Sequence, residues 1–239
     1  MRRRLVIITL VAALAFLGGC IGPFASDGLS EDDLDREANY TWDHDVDVHV
    51  DIEDSVYRAV YKLDGETSFE LSTRARTGSQ PVDIEAVRYV YPNGTMLSGS
   101  QLDISQSSSR TTIEVPDGNG TLAFTTEVSS NRAVIHGLTE GTYRVALPPD
   151  HRVGNFFLSS VSPSGYDTEV DGDRHLLTWE DNSDDVFVEY YLWRDHYLFY
   201  GFLLMSGIVG VGGIVYYRRK IEALARKRRQ VTQPFESDD

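Results

Sequence analysis

Residues 45–52 read Asp45-Val46-Asp47-Val48-His49-Val50-Asp51-Ile52. Apolar and polar residues alternate without a break. A period of two puts Val46, Val48, Val50 and Ile52 on one face of an extended strand. Asp45, Asp47, His49 and Asp51 then share the opposite face. This is one half-buried strand, with an apolar side for a core and an acidic side for solvent.

Working outward, similar short runs recur at 56–63, 68–75, 84–91, 111–115, 121–127, 143–147, 175–179 and 186–191. Turn signals separate them: Asp64-Gly65, Pro92-Asn93-Gly94, Asp117-Gly118-Asn119-Gly120 and Asp171-Gly172. No segment of the body sustains a 3.6-residue period. The pattern predicts a mainly β fold: an antiparallel β-sandwich ectodomain over 39–192, followed by one C-terminal transmembrane α-helix. The Ser-rich stretch 97–109 is either a loop within one sandwich or a linker between two. Gly141-Thr142-Tyr143, entering an alternating strand, is similar to the tyrosine-corner strand of immunoglobulin-like and prealbumin-like modules.

The two ends carry different signals. Arg2, Arg3 and Arg4 precede an apolar run from Leu5 to Leu17, then Gly18-Gly19-Cys20. A basic start, a short apolar core and small residues form an export signal over 1–19, with cleavage after Gly19. Thirteen apolar residues are too few to span a bilayer. Cys20, the one cysteine of the chain, directly follows the small residues. This resembles the lipobox of prokaryotic lipoproteins, which implies lipid on Cys20; the plainer alternative is an ordinary signal peptide. Residues 20–38 read as an acidic flexible spacer, within which Ser30 and Asp33 could cap a short helix.

Residues 197–217 carry no charge, and a helix of that length matches about 30 Å of hydrocarbon. Tyr190, Tyr191, Trp193, Tyr197 and Tyr200 mark one edge, and Tyr216 and Tyr217 the other. Arg218-Arg219-Lys220 opens a basic tail over 218–239. The positive-inside rule places that tail in the cytoplasm and the body outside a cell membrane crossed once. Ser206 and Gly210 form a small-xxx-small pair, a candidate helix-packing face for a homodimer or a partner helix.

The net charge of −15 is unevenly distributed. Residues 1–20 hold three Arg and no acid, and residues 218–239 hold seven basic and four acidic residues. The remainder holds 12 basic and 33 acidic residues, a net of −21. Such a body gives nucleic acid no basic footprint. Three Lys stand against 19 Arg, so the surface suits concentrated salt, where the Debye length falls to about 3 Å and like-charge repulsion is screened. One Cys excludes a disulfide framework and a multi-Cys zinc site.

Signals of chemistry are sparse. Asp45, Asp47, His49 and Asp51 offer oxygen and nitrogen ligands on one strand face, against the simpler reading of a solvated acidic face, so no metal is assigned. Asp167, Glu169, Asp171 and Gly172 imitate the start of a calcium loop, but Thr178 stands where its last ligand belongs. Asn39, Asn93 and Asn119 open glycosylation patterns, two of them on turns. Hydrolase and phosphate-loop motifs are absent from the sequence, and no cofactor or enzymatic activity is expected.

Lipobox, acidic β-rich body, C-terminal span and basic tail together resemble an uncharacterised family of haloarchaeal membrane-anchored lipoproteins. The resemblance implies no activity. The expected role is a non-catalytic cell-surface module that binds an envelope protein or a glycan. The alternatives are an accessory subunit of a transporter or respiratory complex and, less favoured, an extracellular hydrolase.

Overall fold

The alternation at 46–52 becomes strand β1 (Val48–Glu53), with Val48, Val50 and Ile52 fully buried. The computed structural model describes residues 29–53, 55–75, 78–155 and 157–231. Strands are numbered along the chain. The large sheet adds β2 (Val56–Lys62), β5 (Ile84–Val90), β6 (Met96–Ser98), β9 (Thr121–Glu127), β11 (Gly141–Ala146), β14 (Asp167–Asp171) and β15 (Arg174–Asn182). Its order is β14-β15-β11-β1-β2-β9-β5-β6. Neighbours are antiparallel except β1 and β11, which run parallel. A parallel pair needs a crossover, and here the intervening chain builds most of the second layer before β11 returns beside β1.

That layer has two parts. β3 (Ser68–Ala75), β4 (Gly78–Pro81), β7 (Asp103–Gln106) and β8 (Thr111–Glu114) form one sheet. β10 (Arg132–Ile135), β13 (Ser160–Ser162) and β16 (Val186–Glu189) form another. One apolar cluster joins both to the large sheet, with Phe69, Leu71 and Ile113 from the first, Ile135 and Val188 from the second, and Tyr61, Tyr89 and Phe124 from the large sheet. The architecture is therefore a β-sandwich. Residues 97–109 carry β6, a 3-10 turn at Gly99–Gln101 and β7, so this stretch passes from one layer to the other.

The tyrosine corner is formed. The Tyr143 hydroxyl donates to the Thr139 carbonyl at 2.6 Å. Gly141 beside it has φ +145°, and a Cβ there would lie 2.3 Å from the Asp47 carboxylate. Asp47 accepts the Thr142 N–H at 2.8 Å, so its carboxylate fastens this corner to the start of β1.

Residues 29–38 do not form the flexible spacer expected of them. Helix α1 (Glu31–Leu34) packs on β5, and Leu34 is buried. Asp35 accepts the Ser100 N–H at 2.9 Å and hydroxyl at 2.6 Å, bonds that hold its carboxyl below the ordinary value. Arg88 donates to the carbonyls of Asp35 and Arg36, and Arg36 pairs with Glu85. One apolar residue among acids gave little sequence signal; Leu34 and these polar bonds seat the segment together. Ser30 occupies the N-cap position without a side-chain cap bond. Farther on, Tyr40 covers the outer face of β5 and β9, donating to Ala86 O at 2.8 Å with its oxygen 2.9 Å from Thr125 Oγ1.

β12 (His151–Arg152) and β17 (Tyr191–Leu192) pair at the end of the sandwich. β17 runs directly into helix α2 (Trp193–Val231), whose first N–H donates to Asp150 O at 3.0 Å. The 39 residues of α2 extend about 58 Å. Its stretch Trp193–Arg228 is long and apolar enough to cross a membrane, and none of its most apolar window is buried. Two aromatics expected at the membrane edge are elsewhere. Tyr190 and Tyr191 are buried in the body, because the chain is still passing from β16 into β17 there.

Candidate functional site

Because Val48, Val50 and Ile52 face the core, His49 and Asp51 face outward from β1. On β11, Tyr143 and Val145 are buried, so Arg144 and Ala146 face outward too. The parallel register sets His49 opposite Arg144 and Asp51 opposite Ala146. Arg174 opens β15 beside them. Residues 41–45 cross over this surface, held by Lys62, whose Nζ donates to His44 O at 2.8 Å. Together these groups line a cleft of about 330 Å³.

The polar network inside is incomplete. His44 and His49 stack with ring centroids 5.4 Å apart. His44 Nδ1 lies 2.9 Å from Val46 O, a carbonyl that can only accept, so Nδ1 carries the proton and Nε2 the lone pair. Arg144 donates to Asp45 at 2.6 Å. Arg174 pairs with Asp51 and donates Nε to Leu147 O at 2.7 Å. Yet His44 Nε2, His49 Nδ1 and Arg144 Nε are buried without a hydrogen-bond partner among the described residues. Buried polar atoms normally have one, so this cluster calls for water or ligand atoms.

Burial is the main cause that holds both imidazoles below the ordinary 6.5. Around His44, the Val46 carbonyl and Asp45 oppose the shift, while Lys62 and Arg144 add to it. Around His49, Asp51 opposes it, while His44, Arg144 and Arg174 add to it. Asp45 is itself held low by its Arg144 hydrogen bond. The sign follows by linkage. The unfolded rings take up protons near pH 6.5 while the folded rings resist. The stability these two rings contribute is complete above pH 6.5 and is lost as pH falls through their depressed values. The His44→Gln/His49→Gln double variant is therefore expected to lose less melting temperature than wild type between about pH 7 and pH 5. Parallel pH profiles of the two would contradict this.

The structure gathers Asp45, His49 and Asp51 at this cleft, but not as metal ligands. Asp45 and Asp51 face guanidinium groups, and Asp47 is turned to the Thr142 N–H. Among the described residues, no group of three or more His, Cys, Asp or Glu is placed to hold a metal ion. The calcium-like pattern is not an ion-binding loop, although its last acid, Asp171, also lines the cleft. Asp167–Asp171 is β14, a strand with all five residues exposed, and Thr178 sits across the hairpin from Asp167. Alternate acids on a strand share a face but do not wrap around an ion.

Arg144, Arg174 and His44 have no sequence signal as site residues. What unites them is the β1–β11 pairing, between positions about ninety residues apart. Asn39, Asn93 and Asn119 are all exposed. Val48 pairs with Tyr61, Lys62 with Thr121, and Thr121 with Val90, so the turns bearing Asn93 and Asn119 lie at the end of the sheet away from α2. Ser206 and Gly210 are exposed on α2. Gly19 and Cys20 lie outside the described residues.

No curated protein and no solved structure matches the chain. One family model does, over residues 44–235, a span that opens on His44 of the cleft and takes in nearly all of the sandwich and the apolar helix. Body and helix thus fall within one family unit, and the chain belongs to the family of unknown function DUF5803.

Proposed function

We propose that the chain is a non-catalytic cell-surface module of a halophilic archaeon, presenting its sandwich to the envelope. In this reading Cys20 carries lipid after cleavage at Gly19, α2 crosses the cell membrane, and the basic tail is cytoplasmic. The acidic body then stands in brine. Glycans on Asn93 and Asn119 would project from the end of the sheet away from α2.

The observation that carries the reading is the cleft. Three buried polar atoms at its wall have no partner among the described residues: an acceptor on His44, a donor on Arg144, and a His49 nitrogen that serves as either. A neutral, hydroxyl-rich ligand both donates and accepts, so a glycan fits better than a charged group. Both imidazoles are held neutral at pH 7, and each guanidinium is already paired with a carboxylate. The test is calorimetric titration of the full chain in detergent, at high salt, with oligosaccharides released from the envelope. Arg144→Met should weaken binding about tenfold, the worth of a hydrogen bond to a charged group. Equal binding by wild type and variant, or none by wild type, refutes the assignment.

A second reading, an accessory subunit of a membrane complex, draws on α2. Ser206 and Gly210, one turn apart and exposed, would let a second helix approach closely along this side.

A further inference from the structure

We infer that Phe157, with Asn155, Leu158 and Ser159 beside it, is a second membrane contact, seated in the lipid headgroup region of the same bilayer that α2 crosses. The inference rests on the reading of α2 as a membrane span. It is independent of the cleft.

Depth is the first argument. The Phe157 ring lies 5.7 Å from the ring of Phe199. Phe199 is six residues into α2, about 9 Å along the axis from the last strand. It is the third residue of the uncharged run 197–217. The loop therefore reaches past the body to the level where hydrocarbon begins. Phe157 is 68% exposed, a large apolar ring turned outward at that level.

Irregular backbone is costly near lipid because its polar groups lose water. The N–H groups of Asn155, Phe157, Leu158 and Ser159 find their partners locally. Asn155 Oδ1 accepts the Phe157 N–H at 2.9 Å, and Asn155 O accepts those of Leu158 at 3.1 Å and Ser159 at 2.9 Å. Asn155 N–H donates to Ser159 Oγ at 3.0 Å.

The third argument is attachment. Asn155 Nδ2 lies 3.2 Å from His196 Nδ1 on α2. The Arg152 guanidinium lies 3.7 Å over the Trp193 ring. Trp193, Tyr197 and Tyr200 are exposed around the same turns and have the amphipathic character of an interfacial belt. Loop and helix start thus form one surface, with aromatic rings outward and hydrogen bonds inward.

The test uses spin labels on the full chain in lipid nanodiscs, in a Cys20→Ser background, one label each at positions 157, 119 and 208. Oxygen partitions into lipid and a nickel chelate into water, so their collision ratio reports depth. The ratio at 157 should be several-fold above that at 119 and below that at 208. A label at 157 as nickel-accessible as at 119, with 208 deep, overturns the loop contact alone. A shallow label at 208 overturns the membrane span and the inference with it. Phe157 is exposed, so labelling there leaves the core intact.

Discussion

Replacing Phe124 with Ala is expected to cost about 3–5 kcal/mol of stability, the range for removing a buried aromatic ring. Phe124 lies on β9, between β2 and β5, with no exposed surface. Its ring stacks on Tyr61 at 5.6 Å, with the two planes 12° apart. The site has little room to collapse. The inner face of β9 is held by the core, and its outer face is covered by Tyr40, which packs with Val60, Ala86 and Ala123. Strands paired on both sides keep the backbone in place, so the cavity stays open. Denaturant unfolding of the full chain in detergent measures the loss through the transition midpoint. A shift worth less than about 1 kcal/mol would show that the two layers do not pack through this ring.

Replacing Arg174 with Met should cost about 2–3 kcal/mol, the next largest effect. This guanidinium pairs with Asp51, donates to Leu147 O at 2.7 Å and to Ile52 O at 3.0 Å. It thereby ties the start of β15 to the ends of β1 and β11. Both side chains of the pair keep roughly a quarter of their surface exposed, so the figure is set below that for a fully buried pair. Methionine keeps the apolar stem and leaves a carboxylate and two carbonyls unanswered. Lysine should recover only part of the loss, since a point charge cannot bridge these groups as a planar fork does. The difference should persist at about 1 M salt, because pairs withdrawn from solvent are weakly screened. A variant as stable as wild type would mean the network is ornamental.

Much of the fold was legible in the sequence because the strands that build the core announce themselves. Val48, Val50 and Ile52 obey a period of two, and each of the nine alternating runs contains a strand. The strands that were missed are short or polar. β4 reads Gly-Ser-Gln-Pro and β14 reads Asp-Thr-Glu-Val-Asp, held by pairing to a neighbour and not by burial of their own. Helix α1 was suggested by Ser30 and Asp33, but its docking depends on Leu34 and on Arg88, far along the chain. The cleft was half legible. The acidic face of β1 drew attention to Asp45, His49 and Asp51. Their chemistry is set by Arg144 and Arg174, and a sequence does not show which strands become neighbours.

The docking of α1 has a mechanical consequence. Only nine residue steps separate Cys20 from Leu29, where the docked segment begins. Fully stretched, they reach about 32 Å. With lipid on Cys20, as proposed, the β5 edge of the sandwich is moored within that distance of the bilayer. The other mooring, α2, leaves from β17, which pairs with β12, the strand that follows β11 in the chain. In the sheet, β5 and β11 are separated by four strand spacings, about 19 Å. Two moorings that far apart form a lever arm. A single stalk would let the body swivel under shear from the medium; in that proposal the pair would convert a twisting load into tension at the N-terminal mooring and bending of α2. The envelope-facing end of the sandwich would then hold its heading.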